Sequence, residues 1–158
     1  MFNLHGIPKP TYRAFELLHN IGTEQSLVDG LHETVDCSVI RNESSVTVLL
    51  TNHTTPGHSI ETERIEVRLD NAPEPRQAHI QRIDSKHANP KAFWLDMGQP
   101  EYLTQQDIER LQEASRLLKE RQSFRYKDGA VVLKLDLPPY AVAAITLEVR
   151  SDMSKHSR

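Results

Sequence analysis

The sequence predicts a mainly β protein, an antiparallel β-sandwich with an N-terminal helix and a short helical insertion. Three observations lead there. From Thr34 onward apolar residues recur at every second position. Turn-forming residues separate these alternating runs. Two stretches, one before residue 22 and one between residues 89 and 118, change to helical spacing. Many short alternating runs divided by turns are the pattern of a sandwich.

The first element is a helix over Pro10–Asn20. Pro10 suits a first turn, where a missing N–H loses nothing. Ala14, Phe15, Leu17, Leu18 and Ile21 follow at helical spacing, and Gly22 is a suitable stop. A polar link, Thr23 to Glu33, offers few core candidates. Val35, Cys37 and Val39 then alternate with Asp36, Ser38 and Ile40, and Val46, Val48 and Leu50 alternate with Thr47, Leu49 and Thr51. Asn42-Glu43-Ser44-Ser45 is turn-prone and joins the two strands. Ile65, Val67 and Leu69 make a third strand, and Ala78, Ile80 and Arg82 fit a fourth.

Asn89 is placed to cap a helix that starts at Pro90 and ends by Gly98. Thr104 and Asp107 approximate a capping box for a second helix, whose apolar face is Ile108, Leu111, Ala114 and Leu118. A strand over Ser123–Lys127 meets the hairpin turn Asp128-Gly129. Val131, Leu133, Leu135 and Leu137 return from it. Ala141 to Val149 is apolar enough for a central strand, and 151–158 reads as a disordered tail.

Composition excludes several classes. A chain of 158 residues suits one domain, and that size can bury roughly 70% of its unfolded surface. The net charge of -3 comes with no basic stripe, so no nucleic-acid partner is expected. One cysteine, Cys37, cannot form a disulfide framework and sits in an apolar alternation, so it reads as a small core residue. No run approaches the roughly 18 apolar residues of a membrane span. The start of the chain lacks the pattern of a secretion signal, and the expected compartment is the cytoplasm.

Chemistry-bearing patterns are sparse. Eight histidines form no His-x3-His pair on an expected helix, so neither a metal site nor a cofactor is assigned. There is no Gly-x-Ser-x-Gly elbow and no glycine-rich phosphate loop. Among 22 acidic residues, no spacing aims two carboxylates into one cleft, so no catalytic residue is assigned. The densest cluster is Arg82 to Pro90, followed by Phe93 and Trp94. Asp84, His87, Asn89 and Trp94 are its candidates for sugar contact. The same residues equally suit a loop exit, a helix cap and a small satellite core.

That cluster also carries a resemblance. Arg82-Ile83-Asp84-x-x-His87-Ala88-Asn89-Pro90, then Trp94 and Met97-Gly98-x-Pro100-x-Tyr102, resembles the C-terminal region of glycoside hydrolase family 39 β-xylosidases. Three further blocks agree in order: His5-Gly6-Ile7-Pro8-Lys9-Pro10-x-Tyr12-Arg13-Ala14-Phe15, His32-Glu33-Thr34, and Pro138 to Ile145. The resemblance implies that residues 1–22 are a remnant of the last helix of a (β/α)8 barrel. It implies that 23–150 are a β-sandwich accessory domain. Members are retaining enzymes that remove xylose from xylo-oligosaccharides, with two catalytic glutamates on the barrel. Both catalytic positions lie upstream of the matched region, and Asn42-Glu43 does not match the catalytic motif.

The resemblance therefore implies a non-catalytic C-terminal fragment, inactive alone, with a structural or interface role. A truncated or split reading frame, or a cloned domain, is the expected origin. A helix removed from its barrel exposes Phe15, Leu17, Leu18 and Ile21 as an interface. Its expected partners are a second copy of the chain or a separately encoded barrel, with xylo-oligosaccharide as a candidate ligand. Other readings are a stand-alone carbohydrate-binding module and the C-terminal part of a transcriptional regulator with a family 39-like region. One Trp and four Tyr offer few stacking platforms for the module, and no helix-turn-helix portion is visible for the regulator.

Overall fold

The alternating segments pair into two antiparallel sheets that share one core. The computed structural model describes residues 3–149, and the tail expected at 151–158 lies outside the described residues. In chain order the elements are α1 (Pro10–His19), β1 (Glu24–Ser26), β2 (Val35–Arg41), β3 (Ser45–Asn52), β4 (Glu63–Leu69) and β5 (Pro75–Ile83). They continue with α2 (Pro90–Asp96), α3 (Gln105–Ala114), β6 (Glu120–Arg121), β7 (Arg125–Lys127), β8 (Ala130–Leu137) and β9 (Val142–Val149). One sheet has six strands in the order β1-β2-β3-β9-β5-β6, and the other has three in the order β4-β8-β7.

Alternation explains the core. Val46, Val48 and Leu50 of β3 lie on one face, level with Ala143, Ile145 and Leu147 of β9. Ala78 and Ile80 of β5 extend that face. It packs on Val131, Leu133 and Leu137 of β8. Strand β9 is central, between β3 and β5, as its unbroken apolar run predicts.

The opposite face of the six-stranded sheet is also covered. Ala144 of β9 and Ile83 of β5 form a second cluster with Leu17 of α1 and Ala88. Ala14, Leu49, Leu117 and Val142 pack around it. The molecule is thus three layers, with helices on one side of the large sheet and the small sheet on the other. The Arg13 guanidinium ties the helical layer together: its Nε donates to the Ser115 carbonyl at 2.7 Å.

Local rules set the ends of the elements. Thr104 and Asp107 form a full capping box at α3, each side chain meeting the other's backbone N–H. Asp128 and Gly129 both have positive φ, 51° and 76°, as a type I′ hairpin turn requires. Gly22 has φ 109°, and a Cβ there would lie 2.7 Å from the Arg41 carbonyl oxygen, so only glycine fits.

The structure departs from the sequence pattern in three places. Strands β1 and β6 fall in polar segments and take their register from β2 and β5. Helix α3 ends at Ala114, short of Leu118, because the Ser115 hydroxyl donates to the Gln112 carbonyl at 2.7 Å and closes the last turn. Leu118 is consequently exposed. Strand β7 starts at Arg125, two residues later than Ser123.

Leu133 is fully buried at the centre of the core, whereas Leu31 stands free in solvent. Leu133→Ala is expected to lower unfolding free energy by about 2–5 kcal/mol. Leu31→Ala is expected to change it by less than about 0.5 kcal/mol. Urea unfolding of both variants measures the contrast.

Candidate functional site

The Arg82–Pro90 cluster is the loop that carries the chain from β5 into α2. Asp84 ends the strand with its carboxylate buried, the side chain 3% exposed. Oδ1 accepts from the backbone N–H groups of Lys86 and His87 at 2.8 and 2.9 Å. This is an Asx turn, which aspartate forms because its short side chain reaches two residues ahead. The same carboxylate holds the His87 ring, with Nδ1 2.8 Å from Oδ1 and 2.9 Å from Oδ2.

Ala88 follows with φ 53° and is buried against Leu17. A non-glycine residue in that region is strained, and the packed layer beneath it holds it there. Asn89 then does two tasks. Oδ1 accepts from the Ala92 N–H at 3.2 Å, capping α2, and Nδ2 donates back to the Asp84 carbonyl at 3.3 Å. Pro90 occupies the first helical turn.

The loop walls a cleft of about 320 Å³. His87 Nε2 faces it, 3.6 Å from Glu120 Oε1. Arg82 binds the other oxygen of Glu120 at 2.8 Å. Lys86, Phe93 and Arg116 complete the rim, with Arg116 paired to Glu113. Glu120 was not among the candidates, because it is 38 residues from Arg82 and lies in a polar strand without a local signal.

The four sugar-contact candidates divide. Asp84, His87 and Asn89 come together in this loop. Trp94 lines a different, more apolar cleft of about 550 Å³ with Ile7, Pro10, Leu103 and Leu111. Its indole N–H donates to the Pro100 carbonyl at 3.2 Å and closes the exit of α2. Each polar group of the set therefore has a structural partner within the chain.

The four expected interface residues divide as well. Leu17 and Ile21 are buried, 3% and 8% exposed, whereas Phe15 and Leu18 face outward at 59% and 46%. Phe15 and Leu18 are three apart on α1 and share its outward side, Leu17 lies on the side that meets the sheet, and Ile21 follows the helix, which ends at His19. The expectation of one four-residue interface is thus corrected: Leu17 and Ile21 are occupied inside the molecule.

Elsewhere, Asn42 Oδ1 accepts from the Ser44 and Ser45 N–H groups, so Asn42-Glu43 is the β2–β3 hairpin turn with Glu43 exposed. His53 Nε2 lies 3.5 Å from Asp36. No cluster of three or more metal-ligating side chains occurs among the described residues. Among them, no helix is long and apolar enough to cross a membrane. Burial raises the Cys37 thiol pKa above 9.0, as befits an inert thiol beside the core. His79 on β5 has its pKa pushed below 6.5, first by burial and then by Lys119, with Glu148 opposing.

The two-sheet fold with its helical layer recurs in solved structures of longer chains. The fold superposes on a monomeric β-xylosidase of Caulobacter crescentus CB15 with a TM-score of 0.73 at 21% identity, over 94% of this chain and 32% of that one. It superposes equally on the GH39 enzyme of Xanthomonas axonopodis pv. citri, with a TM-score of 0.73, 18% identity and the same coverage. Residues 1–131 match the family model described as glycosyl hydrolases family 39, and the chain belongs to that family.

A curated β-xylosidase of Caldicellulosiruptor saccharolyticus is 37% identical over 151 residues, 94% of this chain and 31% of the relative. One from Geobacillus stearothermophilus is 27% identical over 154 residues, 97% of this chain and 30% of the relative. The chain spans about a third of the length of the relatives it matches.

Three variants test the loop and the half-buried histidine. Asn89→Ala should lower stability by about 0.5–2 kcal/mol through the lost cap. Asp84→Ala should lower it by about 1–3 kcal/mol, because three part-buried donors lose their acceptor. Urea melts report both. The folded pKa of His79 lies below its unfolded value, so the unfolded chain takes up the proton first as pH falls. Stability tied to His79 is present above about pH 6.5 and is lost on acidification below it. In thermal melts, His79→Gln should therefore lose less stability than wild type between about pH 7.5 and pH 5.5.

Proposed function

We propose that this chain supplies the β-sandwich region of a retaining β-xylosidase, with a structural and interface role and no catalytic residue of its own. One observation carries this reading. The β-xylosidase relatives align with nearly all of this chain, but with only 31% and 30% of their own length. The aligned part here is a sandwich with a helical layer, whereas the catalytic glutamates implied by the family resemblance belong to a barrel.

The chemistry supports the same division of labour. Retaining glycoside hydrolysis needs two carboxyl groups about 5–5.5 Å apart, one as acid and one as nucleophile. Asp84 is committed to two backbone N–H groups and the His87 ring. Glu120 is held by Arg82. Glu43 lies in an exposed hairpin turn.

The outward face of α1 is the surface proposed for the barrel. Phe15 and Leu18 are large, apolar and exposed, and burying such a side chain is worth about 1.5–3 kcal/mol. Leu17 and Ile21 anchor the helix beneath them. In this reading xylo-oligosaccharide is the substrate of the barrel, and the sandwich braces the helix that meets it.

Incubation of the purified chain with a chromogenic xyloside tests the assignment. No turnover above the buffer rate is expected. Turnover that survives both repurification and Glu43→Gln would show an active site within these residues and overturn it.

A further inference from the structure

We propose that the chain self-associates through its β4 edges, which pair antiparallel across a two-fold axis. The two sheets are unequal, six strands against three, so the sandwich is open on one side. The opening is a cleft of about 770 Å³ between β2 and β4, with Val35, Cys37, Ile65, Val67 and Leu69 among its lining residues. Strand β4 ends its sheet, and its outer edge borders this cleft. An edge strand offers unpaired N–H and C=O groups to any strand that can approach. Leu27 and Leu31 stand fully exposed at the rim, 103% and 105%, next to apolar surface they do not cover.

The side chains of β4 select the partner. Ile65, Val67 and Leu69 pack toward the core, while Arg64, Glu66 and Arg68 alternate with them, and Asp70 follows. When Val67 is set opposite Val67 of a second copy, Ile65 faces Leu69 of that copy on the inner face. On the outer face Glu66 then faces Arg68, and Arg64 faces Asp70. The two-fold axis repeats each contact, so four opposite-charge pairs line one face and apolar pairs line the other.

Neighbouring registers fail. A slip that sets Glu66 opposite its own copy also sets Arg64 opposite Arg68. A slip that sets Arg68 opposite itself brings Glu66 to Asp70. An intermediate slip sets apolar residues against charged ones. Mixed charge on an edge can simply discourage pairing. Here one antiparallel self-register is complementary throughout, and that favours a second copy over an unrelated strand.

The charges involved are available. Arg64, Glu66 and Arg68 side chains are 90%, 58% and 64% exposed. They already touch Asp136, Lys134 and Asp70 in their own chain at 3.5, 3.0 and 2.8 Å. Exposed ion pairs add little energy each. Their part is to fix the register, while the backbone ladder and the covered cleft supply the attraction.

Sedimentation equilibrium of the full chain across a dilution series tests this, with Arg68→Glu, the exchange Glu66→Arg/Arg68→Glu, and Leu18→Asp. The wild type should dimerise reversibly. Arg68→Glu sets two carboxylate pairs face to face and should weaken the dimer about tenfold or more. The exchange restores complementarity across the axis and should recover the wild-type constant to within about threefold. Leu18→Asp should leave the dimer intact. A wild type that stays monomeric overturns the proposal. So does an exchange variant as weak as Arg68→Glu, or a dimer that Leu18→Asp dissolves while Arg68→Glu leaves it whole.

Discussion

Burial of both faces of β9 is the constraint on which the rest of this structure depends. Ile145 and Leu147 face the sandwich core, and Ala144 faces the helical layer. A strand covered on both sides can carry few polar side chains, and Val142 to Leu147 carries only Thr146. The Thr146 hydroxyl meets that of Thr47 on β3 at 3.2 Å, so this polar pair is satisfied between the strands. The small residues at 143 and 144 have a steric purpose. Ala143 lets the small sheet approach one face of the strand closely, and Ala144 lets α1 approach the other.

That constraint joins the helical layer to the sheets. Leu17 reaches Ala144 and Ile83 only because the Asp84–Asn89 loop turns sharply enough to place Ala88 beside them. The loop in turn holds its shape through the Asp84 carboxylate, His87 and the Asn89 amide. Asn52 does a similar task at the other end of β3. Its side chain is fully buried and donates to the carbonyls of Glu61 and Leu137, linking the two sheets. The helical layer, held on the sheet by the Asp84–Asn89 loop and by Leu17, presents Phe15 and Leu18 outward.

Much of this was legible in the sequence where local rules act alone. Alternation located β2, β3, β8 and β9, and capping chemistry located α2 and α3. The split of α1 between an outward side with Phe15 and Leu18 and an inward side with Leu17 was present in their spacing, whereas the helix end at His19, before Ile21, was not. Strands β1 and β6 were not legible, since Glu24-Gln25-Ser26 and Glu120-Arg121 have no apolar alternation and borrow their register from neighbours. Glu120 at the cleft and β4 as an open edge were hidden for a related reason. Both follow from strand order, which is set by long-range packing. The loop residues Asp84, His87 and Asn89 form a dense polar group in the sequence. The structure gives them mutual partners, which is why the same pattern reads as either a site or a brace.

The central claim is that helices and sheets form one cooperative unit through β9. Trp94 is the one tryptophan and lies in the helical layer, so its fluorescence reports that layer. Far-ultraviolet circular dichroism in the same urea titration reports the helices and the sheets together. The account predicts that the two transitions coincide in midpoint and steepness, as for a two-state domain. A fluorescence transition complete while a large part of the circular dichroism signal persists to higher urea would contradict it.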